Sequence, residues 1–137
     1  NKLGARYHHR PRGNHGATIL LAGLPDEFHD IGLLLFALSA HEAGYRVIPL
    51  GANMPLVELP AVARMKKVDA IVLSGAIKPA EELLRNDLPR LVDAVDIPVL
   101  VGGPTSVLAC DAIDRAGAEA MGRDIDHGLS RMADLLD

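Results

Sequence analysis

The chain has 137 residues, 49% of them hydrophobic, and a formal net charge of −4, enough length and apolar content for one domain with a core of its own. Its longest apolar stretch, Ile31 to Ala40, is broken by Gly32 and Ser39 and falls short of the ~20 residues that a membrane-spanning helix needs, which excludes such a span. Lys2, Arg6, Arg10 and Arg12 all precede the first acid, Asp26; beyond them ten basic side chains face eighteen acidic ones, a balance of −8, which excludes direct DNA binding by the body of the chain.

Residues 1 to 16, NKLGARYHHRPRGNHG, mix Gly, Pro, His and Arg without a period. They read as a flexible basic tail or interdomain linker, leaving 17 to 137 as the domain. A chain opening on Asn rather than Met is expected to be a piece of something longer. His8, His9 and His15 lie in this tail without a cysteine and read as solvated rather than metal-bound. ATILLAG (17 to 23) is a short apolar run ending in Gly, the pattern of a strand buried on both faces. The loop LPDEFH follows, then a helix from about Asp30, its N-cap, to Ala43, with Gly44 as its stop.

The rhythm repeats. RVIPLG (46 to 51) reads as strand and PLVELPAVARMKK (55 to 67) as helix; DAIVLSG (69 to 75) as strand and PAEELLRNDLPRLVDAV (79 to 95) as helix. Pro60 and Pro89 are expected to bend or divide those helices. IPVLVGG (97 to 103), SVLACDAIDRAG (106 to 117), AEAMG (118 to 122) and DIDHGLSRMADLLD (124 to 137) complete the series as strand, helix, short strand and helix. Cys110 reads as a buried helix residue, His41 and His127 as surface residues, and Met54, Met65, Met121 and Met132 as packing. A single cysteine allows no intrachain disulfide and fits a reducing cytoplasm.

Strict alternation of five strands with five helices, joined by right-handed crossovers, implies a parallel sheet covered on both faces. The simplest form is the flavodoxin-like strand order 2-1-3-4-5. Ligands bind such sheets beyond the carboxyl ends of the strands. Here strand one runs into Glu27 to Gly32, strand three into Ser74 and Gly75, strand four into Gly102 and Gly103, and strand five into Gly122. Small residues at one edge leave backbone open to close approach by something large.

Familiar occupants of this fold can be set aside on their chemistry. A phospho-acceptor receiver needs a carboxylate where Ser74 stands, and Asp69 is at the other end of that strand. A flavin site needs a hydroxyl- and glycine-rich loop after strand one and aromatic side chains, but this chain has LPDEFHD there, no Trp, two Tyr and two Phe. The G-x-G-x-x-G of dinucleotide folds is absent.

What remains is Glu27-Phe28-His29-Asp30-Ile31-Gly32, then residues 33 to 73, Ser74-Gly75-Ala76, residues 77 to 101, and Gly102-Gly103. This set resembles the cobalamin-binding domain family, whose pattern is Asp/Glu-x-His-x-x-Gly, about forty residues, Ser-x-Leu/Val/Thr, about twenty-five residues, and Gly-Gly. Two departures are Glu27 for the commoner Asp and Ala76, smaller than the usual third residue of the serine motif. The resemblance implies cobalamin bound with its benzimidazole tail released from cobalt into a slot beside the sheet. His29 would take the vacated axial position, with Glu27 as the acceptor for its second ring nitrogen and Asp30 as a weaker alternative. Gly32 would lie close to the tail, Ser74 would hydrogen-bond within the slot, Gly102 and Gly103 would make room, and Thr105 and Gly122 would be further wall positions.

HDIGLLLFAL and GYRVIPLGANMP look most like the cobalamin domains of MerR-class transcription regulators, light-sensing repressors among them. That likeness implies a sensory or regulatory module without catalysis of its own, responsive to adenosyl-, methyl- or hydroxocobalamin. A helical cap and a DNA-binding region would be supplied outside these residues or by a partner protein. Two other roles stay open: the corrinoid carrier domain of a methyltransferase or mutase, and a cofactor-free interaction module that kept the fold.

Overall fold

The structure is a computed structural model and describes residues 16–25, 31–122 and 124–136. In chain order the elements are β1 (Thr18–Gly23), α1 (Ile31–Glu42), β2 (Arg46–Gly51), a 3-10 turn (Leu56–Glu58), α2 (Leu59–Lys66) and β3 (Ala70–Ser74). A π-helical turn (Leu83–Asp87), α3 (Leu88–Ala94), β4 (Val99–Gly102), α4 (Pro104–Leu108), α5 (Cys110–Ala116), β5 (Glu119–Ala120) and α6 (Ile125–Leu136) follow. The five strands form one sheet in the order β2-β1-β3-β4-β5, and every pairing is parallel. This is the flavodoxin-like arrangement that the alternation of elements implied.

Successive side chains of a strand point to opposite faces, and the two cores follow that parity. Ile19 and Leu21 of β1, Ala70 and Val72 of β3 and Leu100 of β4 share one core with Leu33, Phe36 and Ala40 of α1 and Met132 and Leu136 of α6. Leu20 and Ala22, Ile71 and Leu73, and Val99 and Val101 share the other with side chains of α2, α3 and α5. β2 is an edge strand with exposed positions, which is where Pro49 is tolerated because no sheet partner needs its missing N–H. At the amino end of the sheet the Asp69 carboxylate accepts the Thr18 N–H at 2.8 Å, tying the starts of β1 and β3 together. Among the described residues, no helix is long and apolar enough to cross a membrane.

The helices depart from the expected ranges at their prolines. Pro60 stands in the first turn of α2, where an N–H has no intrahelical partner to lose, and the preceding turn is 3-10. Pro89 stands in the first turn of α3, directly after the π-helical turn. A wider turn there relieves the clash of the proline ring with the carbonyl four residues back. The helix expected over 106 to 117 begins earlier, at Pro104, and is divided at Ala109, whose φ and ψ of −121° and 28° are not helical. That break rotates Cys110 to the surface, so the thiol is exposed rather than buried. Met65 is likewise 73% exposed and packs no core. α1 is apolar around its whole circumference, and Leu34 and Leu38, one turn apart, are exposed.

Candidate functional site

At the carboxyl edge the backbone ladder runs past the strand ends. Leu24 N–H donates to the Ser74 carbonyl at 3.0 Å, Gly75 N–H to the Gly102 carbonyl at 3.3 Å, and Met121 N–H to the Val101 carbonyl at 2.8 Å. The loops after β3 and β4 are locked to each other. Thr105 N–H donates to the Gly75 carbonyl at 3.1 Å, its hydroxyl donates to the Ile77 carbonyl, and the Ser106 hydroxyl donates to the Gly103 carbonyl at 2.8 Å. Gly103 has a φ of +80°, and a Cβ there would fall 2.5 Å from the Gly75 carbonyl oxygen. A Cβ on Gly75 would meet Thr105 Oγ1 at 2.5 Å and Leu24 Cδ1 at 2.7 Å. These two glycines let the loops pack backbone to backbone.

Beside that lock lies a cleft of ≈ 220 Å³. Its floor is Ser74 at the end of β3 with Gly102 and Gly103 at the end of β4; one wall is Gly32, Leu35 and Phe36 of α1; the other is Met121, Gly122 and the start of α6, with Asp124, Ile125 and Gly128. A Cβ on Gly32 would stand 3.6 Å from Ser74 Oγ, one on Gly102 3.5 Å from Met121 Sδ, and one on Gly122 3.6 Å from His127 Cδ2. Side chains at Gly32 and Gly102 would meet their neighbours at ordinary contact distances but occupy the cleft, so the hollow exists because they are absent; at Gly122 a φ of +84° strains any side chain as well. Asp124 starts α6: its carboxylate accepts the Asp126 N–H at 3.0 Å and its carbonyl the Gly128 N–H at 2.9 Å, as an N-cap does.

The cleft is smaller than the ~300–1,000 Å³ that encloses a whole drug-sized ligand, so its size suits one flat arm of a larger molecule. Among the described residues its lining is apolar apart from the Ser74 hydroxyl, the Asp124 carboxylate and glycine backbone. Hollows of ≈ 740 and ≈ 680 Å³ lie elsewhere, the first among Lys78, Arg85, Asp111 and Arg115 and the second beside Asp69, Asp93 and Asp96. Neither is lined by a strand residue, and both mix charged with apolar side chains. Among the described residues no group of three or more His, Cys, Asp or Glu could hold a metal ion.

Of the residues singled out in the sequence, Gly32, Ser74, Gly102, Gly103 and Gly122 are brought together around the cleft. Gly75, Ala76 and Thr105 do not line it: Gly75 and Thr105 belong to the loop lock, and Ala76 is exposed. Glu27, Phe28, His29 and Asp30 lie outside the described residues, and Ile31 is described only as the first residue of α1. Leu35 and Phe36, Pro104, Met121, Asp124, Ile125 and Gly128 complete the lining without having been singled out. Leu35 and Phe36 were findable from helical spacing, three and four positions past Gly32. Met121 and Gly128 were not, because nothing in the sequence pairs a methionine after β5 with a glycine inside α6.

No protein-family model matches the chain. Methionine synthase of Mycobacterium leprae (strain TN) is 31% identical over 88 residues, which are 62% of this chain and 7% of that protein. A cobalamin-binding protein from Desulfitobacterium hafniense DCB-2 superposes with a TM-score of 0.70 at 23% identity, over 89% of this chain and 60% of its own. The monomethylamine corrinoid protein of Methanosarcina barkeri gives 0.72 at 17%, over 90% and 60%. The methanol:cobalamin methyltransferase complex of the same organism gives 0.70 at 18%, over 86% and 46%. The chain shares its fold with cobalamin-binding proteins. It spans a small fraction of the methionine synthase and about half to three fifths of those solved chains.

Proposed function

We propose that this chain binds a cobalamin-type corrinoid, with His29 holding the metal and the detached nucleotide arm lying in the cleft between α1 and α6, and that it serves as the corrinoid carrier domain of a methyl-transfer system. The observation that carries the reading is the coincidence of Gly32, Ser74, Gly102 and Gly103, four motif positions far apart in the chain, around one cleft at the carboxyl edge. The residues present fit the group: the hollow is shaped by missing Cβ atoms, narrow, and almost entirely apolar. His29 stands three positions before Gly32 in the chain.

In this reading the imidazole of His29 would hold the metal, and the Glu27 carboxylate would accept a hydrogen bond from the other ring N–H, fixing the tautomer. Ser74 would offer its hydroxyl to the arm, while Leu35, Phe36, Met121 and Ile125 would exclude water from it. When bound, the corrinoid supplies a metal centre that accepts and donates the methyl group. The chain's own part is to bind, orient and shield. A partner methyltransferase, or a cap of helices, covers the opposite side.

The carrier role is favoured over the regulatory one because the similar proteins include a methionine synthase, a methyltransferase complex and a corrinoid protein. The likeness of HDIGLLLFAL and GYRVIPLGANMP to light-sensing regulators supports the second reading. The protein mixed with hydroxocobalamin and desalted is expected to keep the ligand and show a histidine-ligated spectrum without benzimidazole coordination, and His29→Ala to lose that ligation. An unchanged spectrum in the variant refutes the assignment. Illumination of the adenosylcobalamin complex is expected to leave its oligomeric size and partner binding unaltered; a light-dependent change favours the regulatory role instead.

A further inference from the structure

Thr105 is fully buried, and Ser106 beside it is 1% exposed, two hydroxyls at the start of a five-residue helix. A hydroxyl stripped of water is costly unless it finds a partner inside, and these two find different ones. Ser106 bonds back within its own turn, to the Gly103 carbonyl. Thr105 reaches out of its element: its N–H donates to the Gly75 carbonyl at 3.1 Å and its hydroxyl to the Ile77 carbonyl. The segment that receives these bonds, residues 75–80, forms neither helix nor strand, so its course is set by what it is tied to. A Cβ on Gly75 would stand 2.5 Å from Thr105 Oγ1 and 3.3 Å from Thr105 Cβ; the glycine leaves the space that the threonine fills. Ser74 and Gly103 of the cleft floor stand one and two positions before Gly75 and Thr105, the two residues so joined.

We propose that Thr105 is a positioning residue: its hydroxyl latches the loop after β3 onto the start of α4 and so fixes Ser74 and Gly103 before a corrinoid arrives. The inference rests on the corrinoid-binding reading above and departs from the wall position that the resemblance implies for Thr105. Thr105 does not line the cleft; it acts through the residues that do. A floor ordered in advance loses no further freedom when a ligand settles on it, whereas a loose floor does. The hydroxyl is the part of the side chain that matters, because it supplies the bond to Ile77 while the methyl only packs. Threonine and valine have nearly the same shape but are not equivalent inside a protein, so the two contributions can be separated.

The test combines amide hydrogen exchange with equilibrium binding of hydroxocobalamin to the purified protein, and the urea midpoint gauges global stability. In the wild type without ligand, the Gly75 and Thr105 amides are expected to exchange within about tenfold of the rate of the β3 amides. Thr105→Val, which keeps the shape and loses the hydroxyl, is expected to speed those two amides by about tenfold or more with the β3 amides unmoved. It is expected to weaken hydroxocobalamin binding by about fivefold or more. Thr105→Ser keeps the hydroxyl and is expected to bind within about twofold of the wild type, even though the missing methyl lowers its urea midpoint. A role in packing alone predicts the opposite order of the two variants. Where Thr105→Val does not fold, Gly75→Ala breaks the same tie from the other side and is expected to show the same two losses. Fast exchange of Gly75 and Thr105 in the wild type, or wild-type affinity in a folded Thr105→Val or Gly75→Ala, overturns the positioning role while the corrinoid-binding reading stands. A wild type that binds no hydroxocobalamin overturns both.

Discussion

Glycines at this carboxyl edge do two different jobs, and the difference is measurable. Gly103 combines a left-handed φ with a Cβ position 2.5 Å from the Gly75 carbonyl oxygen. Gly103→Ala is therefore expected to lower unfolding stability by about 1–3 kcal/mol, read from the urea midpoint. Gly102 lacks both constraints, its Cβ position lying 3.5 Å from a flexible thioether. Gly102→Ala is expected to leave the urea midpoint nearly unchanged while weakening cobalamin binding, because the methyl stands in the cleft. Ser74→Ala is expected to weaken binding by roughly fivefold, the loss of about 1 kcal/mol from one hydrogen bond. The sequence marked Gly75, Gly102 and Gly103 alike as small residues at strand ends. Which of them lines the cleft and which packs against another loop depends on the Thr105 bridge, a contact between side chain and backbone across 28 positions that no spacing rule reveals.

Among the elements, the strands were the most legible, because buried parallel strands are short continuous apolar runs bounded by glycine. The helices were legible in kind but not in detail. Their prolines do not simply kink them: Pro60 and Pro89 each open a helix after a turn of different pitch. The break at Ala109 has no proline and no glycine to announce it, and it is what exposes Cys110. At the opposite end of the sheet, Asp69 reads in the sequence as no more than a polar strand start. In the fold Asp69 is 7% exposed and its carboxylate holds the first amide of β1. Asp69→Ala strands that N–H and is expected to cost about 1–3 kcal/mol of stability with corrinoid affinity unchanged, which equilibrium denaturation and a binding titration together check.

For the molecule as a whole, a ligand bridging α1, the ends of β3 and β4, and α6 stabilises only the folded state. At a free concentration one hundredfold above Kd the gain is about 2.7 kcal/mol, on the order of 10 °C in the unfolding midpoint for a chain of this size. A thermal scan with and without hydroxocobalamin checks this. The cleft walls are not equally supported, however. Gly32 rides on a twelve-residue helix, and Ser74 ends a strand that is hydrogen-bonded on both sides. Met121 follows β5, which has two residues and a single neighbour. Fraying begins where paired backbone is scarcest, so the outermost amides of the sheet, those of Ala120 and Met121, are expected to trade their hydrogens for deuterium sooner than those of β3 in the empty protein. Arrival of the corrinoid should slow them most of all.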